Sequence, residues 1–182
     1  MYLLAALDDS RRWRISVLPR GRPRCGPHPV NTICYGRADG RSMLTPHYEL
    51  FDHTADLGLR VRAASLPALV PPSTDGLYAA IGEVAMGEGA VARQFDLSGS
   101  DPALLLRDYL AELLDLFYRA GRRVTDVRAL EFTAERLVVS GQARVIDMAA
   151  SAFEREVKAV TYHELAIRSI PGGYEATFIV DI

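Results

Sequence analysis

Apolar residues along this chain follow two periods in succession. Tyr48 to Phe51 and Leu57-Gly-Leu-Arg-Val-Arg-Ala63 have strand character, the second with Leu57, Leu59 and Val61 on one face. From Ser65 to Val84 the spacing turns helical through Leu66, Leu69, Leu77, Ala80, Ile81 and Val84. Pro71-Pro72-Ser-Thr-Asp-Gly76 is expected to break that helix, because proline removes a backbone donor and clashes with the preceding turn. Val91 to Leu97 alternates again. Ser100-Asp101-Pro102 then opens the clearest helix: serine or aspartate supplies the cap, proline fits the first turn, and Gly121 marks the far end. Leu106, Tyr109, Leu110, Leu113, Leu114 and Phe117 make a stripe too broad for one exposed face, which places this helix centrally. Strands are expected over roughly 124–132, 137–146, 156–170 and 174–180, with turns at Ala134-Glu-Arg136 and Pro171-Gly-Gly173. Sequential strands joined by tight turns pair antiparallel, so the order β-β-α-β-α-β-β-β-β predicts an α+β domain with two main helices against mostly antiparallel sheets.

Length allows one domain: 182 residues, 49% hydrophobic and 24% charged, are ordinary for a globular chain. A net charge of -2 announces no nucleic-acid surface, yet it hides an uneven division. Residues 1–42 hold eight arginines against three aspartates, whereas the remainder carries thirteen basic and twenty acidic residues. The expected organisation is therefore a basic extension over 1–42 and a folded domain over 43–182. Three readings stand for the extension: a disordered basic arm, a docking segment for a small partner, or an over-long reading frame whose start is Met43. The abrupt change at that methionine favours the third. Both cysteines, Cys25 and Cys34, fall in the extension, so nothing argues for a disulfide-built secreted domain. No apolar run is long enough for a membrane span, and Asp8 and Asp9 interrupt the stretch that would begin a signal peptide, which predicts a cytoplasmic protein.

Candidate chemistry gathers in three places. Asp52-His53-Thr54-Ala55-Asp56 connects two strands, with Asp56 available to a cation and His53 and Thr54 positioned to support the loop; a capping turn with a satisfied histidine explains the same residues. Zinc is disfavoured there, because no cysteine or second histidine lies nearby to complete a tetrahedron. Lys158 is the only lysine among 21 basic residues, placed on a strand face with Glu156, Val160 and Tyr162, and His163 follows it as a ligand or a structural partner. Finally, Asp181 and the terminal carboxylate of Ile182 set two oxygen donors side by side, as a hard cation such as calcium needs. The Gly-x-x-x-x-Gly-Lys, Gly-x-Ser-x-Gly, Cys-x-x-Cys and Gly-x-Gly-x-x-Gly motifs are absent.

Tyr48-Glu-Leu-Phe-Asp-His-Thr-Ala-Asp-Leu-Gly58, Val157-Lys-Ala-Val-Thr-Tyr-His163 and Phe178-Ile-Val-Asp-Ile182 together resemble the archease family over about residues 47–182. The extension and the proline-bearing stretch at 71–76 depart from the family pattern without touching these motifs. The resemblance implies helices packed between β-layers. It also implies an accessory protein, not itself a ligase, that promotes guanylylation and multiple turnover of an RtcB-type RNA ligase in tRNA splicing and repair, meeting RNA only through that ligase. A calcium site would fall on Asp56, Asp181 and Ile182, with Lys158 contributing to ligase activation. A small metal-dependent phosphoesterase using the same carboxylates, or a chaperone-like binder, is the alternative.

Overall fold

A computed structural model of the chain describes residues 6–7, 13–14, 44–53 and 56–182. In the extension β1 (Ala6–Leu7) pairs antiparallel with β2 (Trp13–Arg14), while Cys25, Cys34 and Met43 lie outside the described residues. The domain runs β3 (His47–His53), β4 (Asp56–Ala63), α1 (Leu66–Ile81), β5 (Gly82–Glu83), β6 (Met86–Ser98), α2 (Pro102–Ala120), β7 (Arg122–Phe132) and β8 (Arg136–Ile146). It continues through β9 (Ala152–Phe153), β10 (Ala159–Val160), β11 (Ala166–Ile170) and β12 (Gly173–Asp181).

Two antiparallel sheets flank the helices. The larger has the order β10-β12-β4-β3, with β11 pairing β12 on the same edge as β10; the smaller is β6-β8-β7, and β5 pairs with β9 separately. Helix α1 packs on β3 and β4 to one side and β7 to the other, and α2 meets β10 as well as β6, β7 and β8. The predicted α+β architecture, two helices between antiparallel sheets, is the observed one. Among the described residues no helix is long and apolar enough to cross a membrane.

Helix α2 forms as its sequence dictates. Asp101 accepts from the Ala103 N–H at 2.7 Å and the Leu104 N–H at 3.4 Å, and Gly121, at φ 59°, ends the helix in the left-handed conformation. All six stripe residues are buried, which accounts for the breadth of the stripe.

Helix α1 corrects an expectation, because it runs unbroken through Pro71 and Pro72. Each proline deletes one i→i−4 hydrogen bond, but Leu69, Val70, Leu77, Tyr78, Ala80 and Ile81 are buried against both sheets. Tertiary packing outweighs the local penalty. Buried hydroxyls knit the layer together: Ser73 donates to the Leu69 carbonyl at 2.8 Å and Thr74 donates to the Val70 carbonyl at 3.0 Å. The Thr74 oxygen is then free to receive the Tyr109 hydroxyl 2.9 Å away, while the Tyr78 hydroxyl accepts from the Val124 N–H at 3.0 Å.

Two strand boundaries also differ. Strand β6 begins at Met86, its glycine-rich start offering no alternation to read, with a bulge between Met86 and Ala90. The single strand expected over 156–170 is instead β10 and β11, separated by a turn at 161–165. Glu164 there has φ +50°, and the Thr161 N–H donates to the Ile179 carbonyl at 2.9 Å before the chain leaves the sheet edge.

Candidate functional site

Strand register assembles the site. His53 of β3 lies opposite Asp56 of β4, and Val180 of β12 lies opposite Leu57 of β4. Continued by one rung, the same register sets Asp181 beside Asp56; on its other flank Asp181 faces Ala159 of β10. Directly opposed residues in an antiparallel sheet project from the same face, and consecutive residues from opposite faces. Leu57, Val180 and Val160 are buried in the core, so the rung of His53, Asp56 and Asp181 belongs to the outer face.

Lys158 stands immediately before β10. Its N–H donates to the Asp181 carbonyl at 2.8 Å, and its ammonium donates to an Ile182 oxygen at 2.9 Å, with Asp181 Oδ1 at 3.9 Å. The expectation that Lys158 shares a strand face with Glu156, Val160 and Tyr162 is not met: Glu156 and Lys158 lie before the strand, Val160 is buried whereas Lys158 is 54% exposed, and Tyr162 is in the turn beyond it. Lys158 is instead drawn to the carboxylates at the end of β12.

The turn after β10 supplies a second gathering. Arg107 of α2 anchors its start, its Nε donating to the Val160 carbonyl at 3.0 Å and its guanidinium lying 4.4 Å from the centre of the Tyr162 ring. The His163 N–H donates to Thr161 Oγ1 at 3.2 Å, and the turn carries the His163 ring to 5.3 Å from that of His53. Glu164 Oε1 lies 3.8 Å from His53 Nε2 and 3.9 Å from His163 Nε2. Thr54 lies outside the described residues. Thus Asp56, Asp181, Ile182 and Lys158 meet at one sheet end, and His53 and His163 adjoin each other beside it.

A hard divalent cation suits the first group, because Asp56, Asp181 and Ile182 offer oxygen donors alone and the Lys158 ammonium already sits against the oxygens of Asp181 and Ile182. Glu164 and Arg107 did not stand out in the sequence. Glu164 had only its position beside His163 to mark it, and Arg107 had no signal, since its role depends on α2 crossing β10.

The matching family model is the Archease protein family (MTH1598/TM1083), aligned with residues 48–182. The chain belongs to the archease family. It is 32% identical over 139 residues to the protein archease of Thermococcus gammatolerans, covering 74% of this chain and 98% of that one. Its identity to the archease of Methanosarcina barkeri is 30% over 144 residues, covering 74% and 95% of the two chains. The solution structure of Methanobacterium thermoautotrophicum protein 1598 superposes with a TM-score of 0.58 at 25% identity, over 74% of this chain and 98% of that one. The crystal structure of an archease from Thermotoga maritima, described as a possible chaperone, superposes with a TM-score of 0.56 at 17% identity, over 79% and 100% of the two, and speaks for the fold. All three motifs of this archease-family chain lie inside the matched region, and the whole basic extension lies before it.

Proposed function

We propose that this archease-family protein is an accessory factor of an RtcB-type RNA ligase in tRNA splicing and RNA repair, promoting guanylylation and multiple turnover without joining RNA itself. What supports the reading most is the convergence of three motifs, distant in sequence, at one end of the larger sheet: Lys158 donates to Ile182 at 2.9 Å, and Asp181 and Asp56 each stand one position beyond the last paired rung of β12 and β4, Val180 opposite Leu57. In this reading Asp56, Asp181 and Ile182 hold calcium or another hard divalent cation, water completing a shell that three residues cannot fill. A cation held by these residues would supply fixed positive charge at the two strand ends.

Lys158 presents a compact ammonium at the same half-exposed rim, where a partner can reach it. Docking there favours the ligase geometry competent for guanylylation, and shifts its population by the difference in affinity between ligase states. RNA is met only through the ligase, and the protein acts in the cytoplasm.

Ligase turnover is to be measured with and without this protein, then with Asp56→Ala, Lys158→Ala and Asp181→Ala. Stimulation by the wild-type chain and its loss in the variants are expected; unchanged stimulation by all three would remove the site assignment. The purified protein alone should neither join RNA nor cleave phosphate esters, and metal-dependent cleavage without a ligase would favour the phosphoesterase reading.

A further inference from the structure

We propose that His53, His163 and Glu164 form a second metal site, for a transition-metal dication of the zinc type, separate from the all-oxygen group at Asp56, Asp181 and Ile182. This inference stands apart from the ligase reading. Zinc was disfavoured in the sequence because His53 has no second histidine nearby. The fold supplies one from more than half the domain away, since the turn after β10 brings His163 and its neighbour Glu164 to the end of β3.

Three observations carry the site. The first is donor chemistry: two imidazoles and a carboxylate are a known zinc ligand set that leaves one position open, whereas calcium and magnesium prefer oxygen alone. The second is convergence without mutual bonding. The three ligand atoms lie within 4.8 Å of one another, and the 3.8 and 3.9 Å separations from Glu164 to the imidazoles exceed hydrogen-bond length. Bonds of about 2.0–2.1 Å in tetrahedral arrangement set ligand atoms roughly 3.4 Å apart, so a modest inward motion closes the set. His163 and Glu164, at 64% and 54% exposure, have room for that motion.

The third observation is orientation and backbone strain. The His53 ring turns Nε2, and not its buried Nδ1, toward the carboxylate of Glu164. Glu164 holds φ +50°, a conformation uncommon outside glycine, and with it turns its carboxylate toward both rings. A metal here would staple the turn at 161–165 to the β3–β4 hairpin, joining segments from opposite edges of the larger sheet.

The test uses untagged protein, so that no added histidines compete, and Co2+ as a spectroscopic probe for zinc. One equivalent should bind with visible d–d absorption, Zn2+ should displace it, and excess Ca2+ should not. His163→Ala and Glu164→Gln, both exposed and expected to keep the wild-type circular dichroism, should each weaken binding at least tenfold, while Asp181→Ala should leave it unchanged. Equal Co2+ binding by the His163→Ala protein would overturn the proposal. So would loss in Asp181→Ala alone, which assigns the ion to the oxygen group, or no binding at millimolar Co2+. No ligase enters the assay, so this site and the ligase role stand or fall separately.

Discussion

In the helical layer Ser73, Thr74, Tyr78 and Tyr109 are buried, and each hydroxyl has a partner within 3.0 Å. At the rim where β3, β4, β10 and β12 end, the opposite holds: Lys158 and Asp181 are about half exposed, His53 Nδ1 lacks a partner among the described residues, and Glu164 adopts an unfavourable backbone angle. These four hydroxyls are satisfied between the sheets even though α1 carries two prolines, whereas the rim keeps charged groups that the fold does not bury. The layer therefore carries stability, and the rim has groups left over for binding.

The strongest way to break this contrast is in the layer. Leu110 is 0% exposed, so Leu110→Ala should cost about 2–5 kcal/mol by urea denaturation, while ligase stimulation measured well below the midpoint survives. Alkaline pH acts on the same layer. Burial pushes the Tyr78 phenol from 10.0 up to about 12 and raises Tyr109 as well. A group whose folded pKa is raised contributes stability that is complete below its unfolded value and lost as pH rises through the folded one. Stability should thus hold to about pH 10 and then fall, each such phenol contributing a slope of about 1.4 kcal/mol per pH unit. Urea midpoints across that range should show a shallower fall in Tyr78→Phe.

Smaller effects sharpen the division. Asp101→Ala removes the α2 cap and should cost about 1 kcal/mol in thermal or urea unfolding, again without touching stimulation. Lys158→Ala should change stability by less than about 0.5 kcal/mol, since its ion pair is exposed, and yet abolish stimulation. A large loss of stability in that last variant would erase the distinction between layer and rim.

How much could be read beforehand follows the same line. Helix α2 was legible because its cap, its proline, its terminal glycine and its stripe are all local signals. The prolines of α1 misled, since the sheets that hold that helix on both sides are not visible in its own residues. Alternation carried the strands, but not the turn at 161–165, which is set by Arg107 reaching across from α2 and by the Ile179 carbonyl. Asp56, Lys158 and Asp181 were legible as family motifs. Their arrangement needed the register, and the approach of His163 to His53 could not be inferred from spacing, because it joins two segments through the fold alone.

The place of β12 sets the order in which these parts can come together. It lies inside the larger sheet, between β4 and the β10–β11 edge, yet its partner β4 comes from almost the other end of the domain. Hairpins such as β3–β4 and β7–β8 close over short loops, whereas inserting β12 closes nearly the whole domain, the slow kind of event in folding. Asp56, Lys158 and Asp181 meet only when that strand is seated. The binding rim should therefore mature with the final step of folding, and a chain halted before it would display every motif without a site.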